Sequence, residues 1–187
     1  MTPDADAPPV LDLQKLRVGY PRSGGGLSWA VDGVDLSIAP GERDALFAIF
    51  ADIVASGDGY PHAPPLTAET FEATWVTPVT LVVVARVDGA VAGAYYLKPN
   101  FPGRAAHIAN AGYVVDDAHR GGGVGRLLVE DSVWRAPLLG FDAIQFNLVF
   151  AGNRARALYE ELGWREIGRV PEAVAGEDAV IYWRRVG

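Results

Sequence analysis

The sequence predicts a mixed α/β domain: an antiparallel strand meander followed by a single strand–helix–strand crossover. Three observations predict it. Two β-rich runs, Val79 to Val87 and Ala90 to Leu97, flank Asp88-Gly89, a dipeptide that suits the positive φ angles of a tight hairpin. A third run, His107 to Val115, enters a glycine-rich turn that opens a helical pattern, Val124 to Leu139, with Gly140 at its end. Ile144 to Phe150 follows as a buried strand, so the order is that of a βαβ unit.

The remaining elements follow from local chemistry. The chain divides into an irregular segment, 1–30, rich in Pro and Gly, and a single domain, 31–187. Pro8, Pro9, Pro21 and Gly24-Gly25-Gly26 forbid a long helix in the first of these. Alternation of Val34, Leu36 and Ile38 with Asp35 and Ser37 predicts a short strand over 31–38. Leu46, Phe47, Phe50, Ile53 and Val54 form one stripe of a helix over 41–56. Thr67 is placed to cap a short helix reaching Trp75. Asn153 caps a helix that ends at Leu162, and strands over 164–170 and 179–185 close the chain around a loop holding Pro171.

Composition bounds the function. The chain has 187 residues, 50% hydrophobic and 21% charged, which is enough to bury one real core. There is no cysteine, which excludes disulfide frameworks, thiolate zinc sites and cysteine nucleophiles. A net charge of -7 lacks the whole-surface footprint of a nucleic-acid binder. No apolar run is long enough to span a membrane and the first residues lack a signal-peptide pattern, so the protein is expected to be cytoplasmic.

The most informative string is Tyr113-Val114-Val115-Asp116-Asp117-Ala118-His119-Arg120-Gly121-Gly122-Gly123-Val124-Gly125-Arg126. Unpaired N–H groups of a first helical turn converge on one spot, the helix dipole favours negative charge there, and missing Cβ atoms let a diphosphate approach. A Walker loop needs Gly-Lys-Ser/Thr, but Gly125 is followed by Arg126 and Leu127. A dinucleotide fingerprint needs a third glycine or alanine where Leu128 stands. The pattern Arg-x-x-Gly-x-Gly is filled by Arg120, Gly123 and Gly125; a plain flexible glycine turn is the alternative. Five arginines (Arg120, Arg126, Arg135, Arg154, Arg156) oppose three carboxylates between His119 and Arg156, so positive charge gathers where a polyanion would sit; Arg135 alone reads as ordinary solvated surface.

This turn resembles the acetyl-coenzyme A pyrophosphate loop of the Gcn5-related N-acetyltransferase (GNAT) superfamily. A second segment, Asn153-Arg154-Ala155-Arg156-Ala157-Leu158-Tyr159-Glu160-Glu161-Leu162-Gly163-Trp164, resembles the same family's Asn…Leu-Tyr-Glu-x-Leu-Gly-Phe. The resemblance covers about residues 105–187 and implies a twisted, mostly antiparallel sheet flanked by helices and splayed between its fourth and fifth strands. It implies acetyl-coenzyme A as co-substrate and no metal. Tyr113, Val114 and Val115 would pair with the pantetheine arm, and Gly121, Gly122, Gly123, Val124, Gly125 and Arg126, with Arg120, would hold the pyrophosphate. Asn153 would bond the pantetheine, although its spacing to Tyr159 is one residue short of the usual pattern and Gly152 stands at the more usual position. Tyr159 would protonate the leaving thiolate, the alternative being an aromatic packed on the sheet. A backbone N–H of Val115 or Val114 would stabilise the oxyanion as a neutral amine attacks directly.

The glutamate that many members use as base is missing. Neither central strand carries Asp or Glu; His107, Asn110, Tyr113, Gln145 and Asn147 are the polar groups available. His107 has the right intrinsic basicity, with an edge histidine as the alternative. Strand parity puts Asn110 with Gly112 and Val114, and Asn147 with Gln145, as a polar floor for a small acceptor or as a structural amide pair. Both strands also resemble the fungal azetidine-2-carboxylate acetyltransferases, which implies a small amino acid as acceptor. Tyr60, His62 and Trp75 are candidates for the opposite wall, and of Tyr95 and Tyr96 at most one faces the site. The partners expected are a small-molecule amine, no nucleic acid, no membrane and, since this fold often dimerises, a second copy paired through the N-terminal strand. A non-catalytic coenzyme A-binding module and a protein acetyltransferase are the rival readings.

Overall fold

The structure, a computed structural model, describes residues 18–21, 27–31, 34–35, 40–57, 59–77 and 81–187. In chain order the elements are β1 (Val18–Pro21), β2 (Leu27–Val31), β3 (Val34–Asp35), α1 (Pro40–Ser56), α2 (Ala68–Phe71), β4 (Leu81–Val87) and β5 (Ala90–Pro99). They continue with β6 (Ile108–Val115), α3 (Val124–Leu138), β7 (Ala143–Phe150), α4 (Arg156–Glu161), β8 (Arg165–Val174) and β9 (Glu177–Arg185). A single sheet carries the domain, in the order β3-β4-β5-β6-β7-β9-β8. Every neighbouring pair is antiparallel except β6 and β7, the fourth and fifth positions, which are parallel. That pair is in register only from Ile108↔Ala143 to Asn110↔Gln145, and beyond Asn110 the ladder stops while both strands continue. This is the splay that the resemblance implied.

The hairpin between β4 and β5 turns on Asp88 (φ 51°) and Gly89 (φ 81°), both left-handed as a two-residue loop requires. Helices cover both faces. Leu46, Phe50 and Val54 of α1 pack with Phe71 and Trp75 on Val84, Ala94, Tyr96 and Val114. On the other face α3 and α4 cover Tyr95, Leu97, Ala111, Ile144 and Phe146. Two hydrogen bonds lock α3 to the strands beneath it: Tyr95 donates to Asp131 at 2.6 Å, and the hydroxyls of Tyr113 and Ser132 meet at 2.7 Å. Thr67 caps α2 by accepting from the Thr70 amide, and α2 runs on as a π-helical turn over Glu72–Val76.

Three expectations need correction. The segment 1–30 is not wholly irregular: β1 and β2 pair antiparallel, because Gly and Pro signals bar a helix without barring a short ribbon. Of the strand expected over 31–38, Val31 ends β2 and Val34–Asp35 form β3, paired to Ala85 and Val84; residues 32–33 and 36–39 lie outside the described residues, as do 78–80 at the start of the strand expected from Val79. Pro171 is not in a loop but inside β8, which lies at the sheet edge and has its register broken between Val170 and Val174, a position that tolerates a missing N–H. Arg135 is not solvated; it is 3% exposed and bonded to Asp131 at 2.7 Å, a half-buried carboxylate that also accepts from Tyr95. Among the described residues no helix is long and apolar enough to cross a membrane.

Candidate active site

Where β6 and β7 part, a cleft of about 620 Å³ opens. It runs from Asn110, Asn147 and His62 at one end, past Tyr159, to Arg120 and Gly121 at the other. Among the described residues no Asp or Glu lines it.

The edge of β6 is decisive for what the cleft can bind. In an antiparallel ladder, alternate residues turn both backbone groups toward one neighbour. Asn100 donates to the Ile108 carbonyl and Asp116 donates to Ala92, so the even-numbered residues of β6 face β5. The odd-numbered residues therefore face the gap. The Val114 amide is spent in the β5 ladder, which corrects its expected role, whereas the N–H groups of Tyr113 and Val115 aim into the cleft. The same parity leaves the Tyr113 carbonyl on the gap side, where it accepts a 3.3 Å bond from the Tyr60 hydroxyl. Tyr60 reaches that far because residue 112 is glycine: a Cβ there would lie 2.5 Å from both the Tyr60 hydroxyl and a Tyr96 ring carbon.

Beyond Val115 the chain makes the expected turn. Gly121 (φ 77°) and Gly123 (φ 88°) hold left-handed conformations, and α3 begins when Leu127 donates to Gly123. The first N–H groups of α3, those of Val124, Gly125 and Arg126, precede the first helical bond and find no acceptor among the described residues, so they remain available to an anion. Gly121 and Gly125 border the cleft, with Arg120 and Arg154 beside them. Arg154 is exposed and has no carboxylate partner among the described residues, whereas Arg126 is taken by Glu161 at 2.6 Å and Arg156 by the Ala151 carbonyl and Tyr182. Of the five arginines, then, two stand at the cleft, Arg120 with its guanidinium on Asp117 at 2.8 Å. These donors fit a diphosphate.

Tyr159 lies on the α3–α4 side, 8% exposed, with its ring against Phe146 and Tyr113. Its hydroxyl has no hydrogen-bond partner among the described residues, and burial, then the neighbouring Tyr182, raises its pKa, so the proton stays on the oxygen. Asn153 uses its Oδ1 to accept from the Ala155 N–H at 2.8 Å, which caps the turn before α4 and leaves Nδ2 near Gly59.

On the other face lies an amide floor. Asn110 donates to the Gln145 carbonyl at 3.0 Å and accepts from the Tyr96 hydroxyl at 3.2 Å. Asn147 is exposed and exchanges two bonds with Asn100, at 2.6 and 3.1 Å, while Gln145 donates to it at 3.0 Å. The two asparagines thus share a face without bonding each other. Tyr96 lines the cleft and Tyr95 faces α3, as alternation requires.

Two expected residues fall elsewhere. His107 is exposed, bonded to the Arg104 carbonyl at 3.0 Å and outside the cleft, because it precedes β6 rather than lying on it. Trp75 is fully buried between Phe50 and Tyr96, so it supports the wall without forming it. The histidine at the amide floor is His62. Thr74 gives its one hydroxyl proton to the Thr70 carbonyl at 2.7 Å, so toward His62 it can only accept, which puts the imidazole proton on Nε2 and leaves Nδ1 bare. Burial and the charge of Lys98 lower its pKa, keeping it neutral. Sequence reasoning missed Asn100, which holds Asn147; period-two alternation onward from Tyr96 would have found it.

The comparisons agree with this geometry. Residues 47–164 match the model of the Acetyltransferase (GNAT) family, and the chain belongs to that family. It is similar to a GCN5-related N-acetyltransferase from Kribbella flavida, 37% identical, with a TM-score of 0.75 over 81% of this chain and 96% of that one. It is 32% identical over 143 residues to the N-acetyltransferase aca1 of Schizosaccharomyces pombe, spanning 75% of this chain but only 62% of that protein's length. The fold is also that of a phosphinothricin acetyltransferase from Sinorhizobium meliloti solved in complex with AcCoA, at 20% identity and a TM-score of 0.71 over 82% of this chain and 88% of that one.

Proposed function

We propose that this protein is an acetyl-coenzyme A-dependent N-acetyltransferase acting on a small amine or amino-acid-like acceptor in a ternary complex. The observation that carries the reading is the gap between β6 and β7, which has outward N–H donors on one edge, an unpartnered tyrosine hydroxyl on one face and a neutral amide floor on the other. The bound co-substrate supplies the electrophilic acetyl thioester. Tyr113 and Val115 offer the N–H groups that hold the pantetheine arm and the developing oxyanion. The turn from Gly121 to Arg126, with Arg120 and Arg154, takes the diphosphate. Tyr159 holds a proton for the departing sulfur. Asn110 and Asn147 orient the acceptor, and Tyr60 and His62 wall it in. With no carboxylate among the described residues of the cleft, the amine proton passes to solvent rather than to His107, which lies outside, or to the Nδ1 of His62, which is buried. A second copy of the chain would add to the sheet at the short edge strand β3.

The test is thiol release from acetyl-coenzyme A against amino acids, polyamines, aminoglycosides and a histone-like peptide. Turnover with amino acids is expected. Coenzyme binding by calorimetry without turnover of any acceptor identifies a non-catalytic module, and preference for the peptide identifies a protein acetyltransferase.

A further inference from the structure

Lysine is rare in this chain: Lys15 and Lys98 are the two, against fourteen arginines. Arg43, Arg86, Arg126, Arg135, Arg156 and Arg169 each pair with a carboxylate. Lys98 pairs with none among the described residues. It is half-buried on β5 directly across from Asn110, with its ammonium 4.7 Å from the centre of the Tyr96 ring. Burial lowers its pKa, and no acid among the described residues acts to raise it again. Directly opposite residues of an antiparallel pair share a face, so Lys98 lies beside Asn110 of the amide floor. A desolvated cation with no counter-charge is costly, and an anionic ligand relieves that cost.

The partner is not a coenzyme phosphate. Asn110 lies five residues before Val115 on an extended strand, about 17 Å from the start of the diphosphate turn. The acceptor is the ligand within reach. We infer that Lys98 sets acceptor specificity by holding a carboxylate of the acceptor over the Tyr96 ring, while Asn110 and Asn147 orient the amine toward the gap. This rests on the acetyltransferase reading above. Lysine suits the position because a compact ammonium on a flexible stem can lie on an aromatic face and still meet one carboxylate.

Thiol release is measured for α-amino acids and for their primary amides, with wild type, Lys98→Met and Lys98→Arg. Comparing variant with wild type on the same acceptor removes differences in amine basicity. The acid-to-amide ratio of kcat/KM is expected to fall at least tenfold in Lys98→Met, through KM of the acids, and to recover in part in Lys98→Arg. Equal losses on acids and amides overturn the inference. A second readout needs no turnover. In protein carrying labelled lysine only Lys15 and Lys98 give ammonium signals, and an N-acetylated amino acid is expected to raise the Lys98 titration midpoint and leave that of Lys15 unchanged. An unmoved Lys98 midpoint overturns the inference even where the amino acid is acetylated. Absence of turnover with a moved midpoint overturns the acetyltransferase reading instead.

Discussion

The side-chain amide of Asn110 donates to the backbone carbonyl of Gln145 at 3.0 Å on the last rung before β6 and β7 part. The bond ties the two strands at the point where the cleft begins, and the Tyr96 hydroxyl fixes the other end of the same amide at 3.2 Å. Asn147, further along β7, is held by Asn100 and Gln145 at the exposed mouth. The two asparagines should therefore answer differently to truncation.

Asn110→Ala strands the Tyr96 hydroxyl and is expected to cost roughly 1–3 kcal/mol of stability. Asn147→Ala is expected to leave stability within about 0.5 kcal/mol, while lowering acceptor kcat/KM by about one to two orders of magnitude. Urea unfolding and steady-state kinetics on both variants check this. Equal destabilisation by both would make the pair a structural clasp and remove Asn147 from the acceptor floor.

Gly125→Val is the clean test of the anion cradle. Its φ is not left-handed, and an added Cβ would meet the Val115 side chain at 3.7 Å, an ordinary contact. The fold should survive while branched carbons obstruct a diphosphate at the helix N-terminus. Coenzyme A affinity by calorimetry should drop at least a hundredfold with an unchanged melting temperature. Gly123→Val confuses the two effects, because φ 88° strains any side chain.

Tyr159→Phe removes a hydroxyl that no group in the described protein bonds. Stability should stay within about 0.5 kcal/mol of wild type. Turnover should fall by more than the apparent Michaelis constant for acetyl-coenzyme A rises, since the proton is needed only as the thiolate leaves. Unchanged turnover would assign the ring to packing alone.

His62 predicts a pH effect on stability. Burial, then the charge of Lys98, lowers its pKa from 6.5 in the folded state. Below pH 6.5 the unfolded chain takes the proton first, so stability is full above that value and is lost as pH falls toward the folded pKa. His62→Gln should lose this share of the decline. Unfolding midpoints at pH 7.5 and pH 5 for both proteins measure it; parallel declines would show that His62 does not carry the effect.

Periodicity and turn chemistry were enough for most elements. Asp88-Gly89, the stripe from Leu46 to Val54 and the Thr67 cap act within a few residues, so the chain states them locally. Pro171 misled because a proline bars a central strand but not an edge strand, and strand order is not a local property. Arg135 misled for a similar reason: the acid that buries it, Asp131, is itself held by Tyr95 from a distant strand.

The sequence alone determined the family, the glycine turn, Tyr159 and the face shared by Asn110 and Asn147, because each is a pattern of neighbours along the chain. Tertiary structure alone decided the rest. It showed that Val114 spends its amide on β5, that His107 stays outside while the loop from Gly59 brings His62 in, and that Lys98 has no carboxylate partner among the described residues. Backbone pairing, burial and charge balance are sums over residues far apart in sequence, and they acquire values only when the sheet forms.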